Sequence, residues 1–328
     1  MSLLEKFAPA GGWLAAIAVA ALTAFPAAAA DDFPSRPVTM VVGSTPGSAP
    51  DTLARIISAR MAEELGQPVV VENRPGAAGS IAASSVARAD ADGYTMMMMT
   101  AVHTISPTLR TNIDYNTARD FTAVGMVASV PLIFVVNKDL GVRTMDEFVE
   151  RARAGDVFYS TPGIGTLQHL ATEDFSRTKG IKMTMAPYKG GGPATKAVIA
   201  NEVQLFYAGI PPALPHVKSG AIVALGISTP KRSPGAPDVP TFQELGFPGY
   251  NVDNWHSLMV PAGTPDDVVA RLSSALNDTL ALPETAAQFL NVGATPNPNT
   301  PAEMNAWVAS EMARWKGIIE ANNITLEN

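Results

Sequence analysis

Val38-Thr39-Met40-Val41-Val42 leads through Gly43 into Ser44-Thr45-Pro46-Gly47, and Val157-Phe158-Tyr159 leads into the same phrase, Ser160-Thr161-Pro162-Gly163. Each phrase is followed by apolar residues at helical spacing. After the first come Leu53, Ile56, Ile57, Met61 and Leu65; after the second come Leu167, Leu170, Ala171 and Phe175. Both therefore predict a strand, a turn and a helix N-terminus. The first turn of a helix presents unpaired N–H groups and about half a positive charge, so such a turn can seat a carboxylate or phosphate. The same residues also serve ordinary βα turns, where Gly, Pro and Ser supply geometry. For either phrase alone both readings stand, but two such seats suggest one anion held from two sides.

Outward from the first phrase the chain alternates. Gly66 ends the helix over 51–65, residues 68–71 form a short strand, and Gly76-Ala77-Ala78-Gly79 opens a small-residue helix over 80–89. Residues 95–100 are a third strand. Strand, helix, strand, helix, strand predicts a parallel sheet with helical crossovers, whose ligands sit beyond the carboxyl ends of the strands. That places Thr100 and His103 beside the first phrase. Two β-rich runs, 123–129 and 132–137, flank Val130-Pro131 and predict a crossing into a second lobe. There Thr144 and Glu147 make a capping box, and the second phrase opens a similar series of strands and helices. Residues 255–260 form the return crossing, and helices over 266–280, 284–290 and the chain's end complete the first lobe. The expected fold class is thus α/β, with residues 31–130 and 255–328 in lobe 1 and residues 131–254 in lobe 2.

The N-terminus reads differently. Lys6 precedes the apolar run 13–25, and Ala28-Ala29-Ala30 offers a cleavage site, so residues 1–30 are expected to be a secretory signal peptide cut near Ala30. No other apolar stretch approaches the ~20 residues of a membrane span. The chain has no cysteine, hence no disulfide, thiolate or lipid-attachment site, and its net charge of −7 without a Lys/Arg run argues against nucleic acid as a partner. A periplasmic monomer is the expectation.

Enzyme chemistry finds little support. His103, His169, His216 and His256 include no i, i+4 pair and no HExxH, and no G-x-S-x-G elbow occurs. Gly163-Ile164-Gly165 lacks the third glycine of a dinucleotide fingerprint. The run Met96-Met97-Met98-Met99 reads as a buried strand rather than a metal tract. No metal, cofactor or catalytic residue is expected.

The chain resembles the Bug/TctC family of periplasmic solute-binding proteins. The resemblance is carried by Asp51-Thr52-Leu53-Ala54-Arg55, Glu72-Asn73-Arg74-Pro75-Gly76, Asp92-Gly93-Tyr94-Thr95, Pro187-Tyr188-Lys189-Gly190, Ala213-Leu214-Pro215-His216 and Pro261-Ala262-Gly263-Thr264-Pro265. It implies a two-lobed Venus flytrap that binds a small carboxylate between its lobes and delivers it to the permease of a tripartite tricarboxylate transporter. A role beside a sensor kinase, or as a periplasmic enzyme acting on an organic acid, is the alternative.

The ligand-binding residues expected are Gly47, Ser48, Ala49, Thr100, His103, Ser160, Gly163, Gly165, Thr166, His169, Tyr207 and Ala208, with backbone N–H groups as principal donors. Two departures fall at the site. Gly43-Ser44 stands where the family usually has proline and phenylalanine, and Tyr207-Ala208-Gly209 replaces Phe-Asp-Asn. Loss of that aspartate disfavours an amino-acid ligand unless Asp51 or Asp253 reaches the cavity. Aromatic mono- or dicarboxylates are placed ahead of aliphatic C4 to C6 di- and tricarboxylates, with Tyr207, Trp255 or His103 as the aromatic face.

Overall fold

Apolar strands that alternate with amphipathic helices build two sheets rather than one. The computed structural model describes residues 33–110, 113–188 and 190–326, so the signal-peptide reading lies outside the described residues. The first sheet contains β1 (Val38–Val42), β2 (Val69–Asn73), β3 (Thr95–Thr100), β4 (Phe121–Ser129), β10 (His256–Pro261) and β11 (Thr295–Pro296), in the order β11-β4-β10-β3-β1-β2. The second contains β5 (Leu132–Asn137), β6 (Phe158–Thr161), β7 (Thr184–Pro187), β8 (Leu205–Gly209) and β9 (Ile222–Ile227), in the order β7-β6-β8-β5-β9.

Parallel pairing is confined to the strands that carry βα loops. β1 pairs in parallel with β2 and β3, and β6 with β7 and β8, whereas β5 and β10 run antiparallel to their neighbours. β1 and β5 are wholly or almost wholly buried, as sheets covered on both faces require. The methionine run is part of this interior: Met96–Met99 of β3 alternate between two clusters, Met96 and Met98 with α1 (Ala49–Leu65), Met97 and Met99 with α2 (Ser80–Ala87).

Two connections join the sheets. The outgoing one passes through Val130 and Pro131 between β4 and β5; the return one passes through residues 252–255 into β10, and Pro131 bridges Asp253 in antiparallel fashion. Asp253 accepts from the Ser129 hydroxyl and the Val130 N–H, while Leu132 N–H donates to Ser228 Oγ, which in turn donates to the Val252 carbonyl.

The remaining helices are α3 (Val102–Leu109), α4 (Met145–Arg153), α5 (Leu167–Lys179), α6 (Gly191–Ile199), α7 (Ile210–Lys218), α8 (Asp266–Ala281), α9 (Pro283–Asn291) and α10 (Pro301–Ala321). The expected capping box is present on α4, and a second one, from Thr300 and Glu303, starts α10. α10 does more than return to the first sheet. Trp315 and Ile318 share a continuous core with Tyr115 on one side and Phe134 and Phe175 on the other, and Arg314 donates to the Asn251 carbonyl in the return connection.

Candidate functional site

The first phrase does lead into a helix. Ser48 is the N-cap of α1, in extended conformation, and Pro50 follows in the first turn, where its missing N–H costs nothing. Gly43 is required by proximity: a Cβ there would lie 2.8 Å from the Gly79 Cα. Glycine at position 43 thus lets the first loop close onto the turn before α2.

The donors differ from those expected. Gly47 N–H is taken by Asp51 Oδ2 at 2.8 Å and Ser48 N–H by the Thr45 carbonyl at 3.2 Å, and the Ser48 hydroxyl pairs with Ser44 at 2.6 Å. Ala49 and Asp51 are left with N–H groups that have no acceptor among the described residues. Asp51 is buried and bonded to Arg55, Gly47 and Asn73. Burial pushes its carboxyl up, and those hydrogen bonds outweigh burial and hold it below the usual range. It is a structural clasp on the loop.

Beside this loop lies a cavity of about 260 Å³, walled by Gly43, Ser44, Pro50, Ala78, Thr100 and His103. His103 is held by Thr100, with Nδ1 3.2 Å from the Thr100 N and 3.1 Å from the Thr100 carbonyl oxygen, while buried Nε2 faces the Gly79 backbone. Burial pushes the His103 imidazolium down to about 4, opposed by backbone bonds to Thr100 and Gly79, so the ring is neutral at physiological pH. Ala78 is part of the wall, and it and the preceding Ala77 have φ of 55° and 46°. Left-handed backbone at non-glycine residues costs about 1 kcal/mol or more each and gathers at sites where the surroundings impose it. The sequence signal for this wall was Gly76-Ala77-Ala78-Gly79, which reads as a helix start and conceals the strain.

The second phrase is more fully occupied. Ser160 is buried and donates to the Ala194 carbonyl at 3.1 Å. Thr166 is the N-cap of α5, accepting from His169 N–H and donating to the Gly163 carbonyl at 2.8 Å. Gly163 N–H turns to Thr161 Oγ1 and Thr166 N–H to the Gly163 carbonyl, while Gly165 N–H is taken by His169 Nδ1. Open N–H groups, without an acceptor among the described residues, belong to Leu167 and Gln168 instead. The neighbouring loop was missed. Gly190 N–H donates to the Pro162 carbonyl, and among the described residues nothing lies within 4 Å of where a Cβ would stand on Gly190, Gly191 or Gly192 at the head of α6.

Tyr207 and Ala208 lie inside the fold. Successive residues of β8 point to opposite faces; Tyr207 is fully buried among Phe134, Phe242 and Tyr250, and Ala208 packs against the α6 and α7 side. Trp255 is fully buried as well, so of the three expected aromatic groups His103 is the one that lines the cavity. The 260 Å³ cavity is walled by the first sheet's own loops, and the second phrase lies away from it: a Cβ on Gly165 would strike Leu326 and Leu109, the latter at the far end of α3. Six residues of helix, roughly 9 Å, separate Leu109 from His103.

Residues 53–324 match the family described as tripartite tricarboxylate transporter family receptor. The chain belongs to this family. The receptor is 35% identical to BugT of Bordetella pertussis (strain Tohama I) over 331 aligned positions covering 100% of both chains. A solved R. palustris protein with adipate is 35% identical, with TM-score 0.77 over 90% of the receptor and 99% of that chain. MatC from Rhodopseudomonas palustris, solved with malate, is 32% identical, with TM-score 0.72 over 88% and 100%. The fold is accordingly the two-lobed α/β fold of periplasmic binding proteins, as the resemblance implied.

Proposed function

We propose that this receptor binds an aliphatic C4 to C6 dicarboxylate between lobes formed by residues 31–130 with 255–328 and by residues 131–254, and delivers it in the periplasm to the permease of a tripartite tricarboxylate transporter. It acts as a monomeric carrier without cofactor or turnover, after loss of residues 1–30. The observation that carries the reading is that α1 and α5, the two helices opened by the repeated phrase, each retain open N–H groups at the carboxyl end of a parallel strand. Charge-assisted bonds from such groups are strong because the acceptor is ionised.

In this reading Ala49 and Asp51 supply first-lobe donors, with Ser44, Ser48, Thr100 and His103 beside them. Leu167, Gln168 and the glycines of α6 supply those of the second lobe. Gly163, Gly165, Thr166 and His169 shape the loop. Closure about the two connections would bring the sets together, as in other hinged receptors. The aliphatic choice replaces the aromatic one because Tyr207 and Trp255 are buried in the core, and it agrees with the adipate and malate held by the two relatives.

A thermal-shift and calorimetric screen of the mature protein against adipate, malate, succinate, citrate, benzoate and aspartate tests it. At a hundredfold excess over Kd the true ligand should add ~2.7 kcal/mol of stability. A screen in which no carboxylate shifts the melting temperature would sink the reading, and a preference for benzoate would restore the aromatic one.

A further inference from the structure

A larger cavity, of about 640 Å³, lies behind the two connections. In the first sheet β10 and β4 separate β3-β1-β2 from β11, and in the second β5 separates β8-β6-β7 from β9. The walls of this cavity come from residues 229–234, just after β9, from residues 295–299 around β11, and from the connections themselves. It is therefore across the hinge from both phrases, and both lobes contribute to it. We propose that this cavity is a second binding site, specific for a small organic ammonium, and that its occupancy is coupled to opening and closure of the front cleft.

The chemistry follows from what the cavity leaves unmatched. Asn251 and Asp253, two apart in the return connection, both line the cavity. Asn251 Oδ1 is buried without a donor. Asp253 is buried and receives only Ser129 Oγ at 2.5 Å and Val130 N–H at 2.9 Å, which leaves lone pairs on a carboxylate that can accept about four bonds.

Among the described residues no cation meets that carboxylate. Arg232 is engaged by Glu244 and the Pro237 carbonyl, Arg314 by Glu311 and the Asn251 carbonyl, and Lys231 is exposed at the rim, where its head stays hydrated. The other acids nearby, Glu303 and Glu311, are committed to the α10 capping box and to Trp315 Nε1. Trp307 closes one wall with an indole whose N–H is unpaired, beside Pro131, Pro230 and Pro296. An ammonium supplies the donors that Asp253 and Asn251 lack, and its apolar body lies on the prolines and the indole face, a favourable surface for a cation. Burial, with a smaller push from Glu311, moves the Asp253 carboxyl up to about 6 against the bonds from Ser129 and Val130. A bound cation would bring it down again.

The coupling half rests on the receptor reading. Rotation about the connections that narrows the front cleft widens the cavity behind, so a molecule touching both rear walls has different affinity for the two states, and linkage makes the effect reciprocal.

Titration of the mature protein with benzylammonium and with neutral benzyl alcohol, without carboxylate, tests the site itself. The ammonium should bind at about pH 7.5, the alcohol at least about tenfold more weakly, and lowering to about pH 5 should weaken the ammonium about tenfold as Asp253 takes up its proton. D253N and W307F should each raise the ammonium Kd by about tenfold or more. No binding at millimolar ammonium, or equal binding to both variants, overturns the site. Adipate affinity is then measured with and without saturating benzylammonium: a changed Kd, mirrored in the reverse titration, supports the coupling, and an unchanged one overturns it. The carboxylate-free titration reads the rear site even if the front-site screen fails.

Discussion

Gly165 donates its N–H to Nδ1 of His169, 3.1 Å away and one helical turn on. The histidine is buried, stacked on Tyr159, and kept neutral because burial pushes its imidazolium down against the smaller effect of Glu173. It acts as a pin on the loop. His169→Ala would leave a buried donor unsatisfied, which costs about 1 to 3 kcal/mol, and should speed hydrogen exchange at the Gly165 amide while weakening carboxylate binding. His169→Asn, whose Oδ1 can stand near the Nδ1 position, should recover most of both. Equal exchange in wild type and the Ala variant would remove the pin.

Thr166→Val separates a capping role from ligand contact. Its hydroxyl is spent within the loop, on the His169 N–H and the Gly163 carbonyl. Losing a helix cap costs about 0.5 to 2 kcal/mol, so chemical denaturation should show that loss. Calorimetry should show carboxylate affinity reduced by less than the roughly tenfold expected of a lost direct bond to a charged ligand. A large affinity loss at unchanged stability would return Thr166 to direct contact.

Gly43→Ala addresses the junction of the first loop and the α2 turn. The added methyl would meet Gly79 Cα at 2.8 Å and Ala82 Cβ at 3.3 Å, and the first of these is backbone. Overpacking of this kind costs about 1 to 3 kcal/mol. Because Gly79 and Ala78 also wall the cavity, the variant should lose ligand affinity together with melting temperature. A variant as stable as wild type would show that the loop can part from the turn freely.

The parts of this architecture legible in the sequence are those with a local cause. The 3.6-residue spacing after each phrase, the Thr144 and Glu147 box and the apolar runs either side of Val130-Pro131 each name an element, and each element is present. What escaped depends on partners distant in sequence. The Gly47 and Gly165 amides looked free because Asp51 and His169 read as ordinary helix residues, although each folds back onto the loop before it. Tyr207 looked like a cleft aromatic because β8 is buried on both faces, so alternation could not say which side met the core. The residues after Thr100 carry no helix assignment in the sequence, and they form α3 despite Pro107, packed against α10 some 200 residues later.

Acid stability offers the last test, because three buried groups oppose one another. His103 and His256 are each pushed down to about 4, chiefly by burial, so the unfolded chain takes up their protons first. Their contribution is full above about pH 6.5 and is lost as pH falls toward 4, on the order of 3 kcal/mol for each. Asp253 has the opposite sign. With its carboxyl pushed up to about 6 by burial, the folded state binds a proton before the unfolded state does. Its penalty is therefore present above pH 6 and relieved as pH falls toward the ordinary aspartate range near 3.9, again on the order of 3 kcal/mol. The two histidines outweigh the one acid, and the receptor should lose stability on acidification over this window. Asp253→Asn keeps the shape and removes only the opposing contribution. Denaturation measured from about pH 7.5 to about pH 4.5 should show the variant at least as stable as wild type at the upper end, since no buried charge remains there, and falling more steeply below it. Parallel profiles would mean that Asp253 titrates as an ordinary carboxyl, and a variant far less stable at neutral pH would mean that its ionised form is what ties Ser129 and Val130 to the return connection.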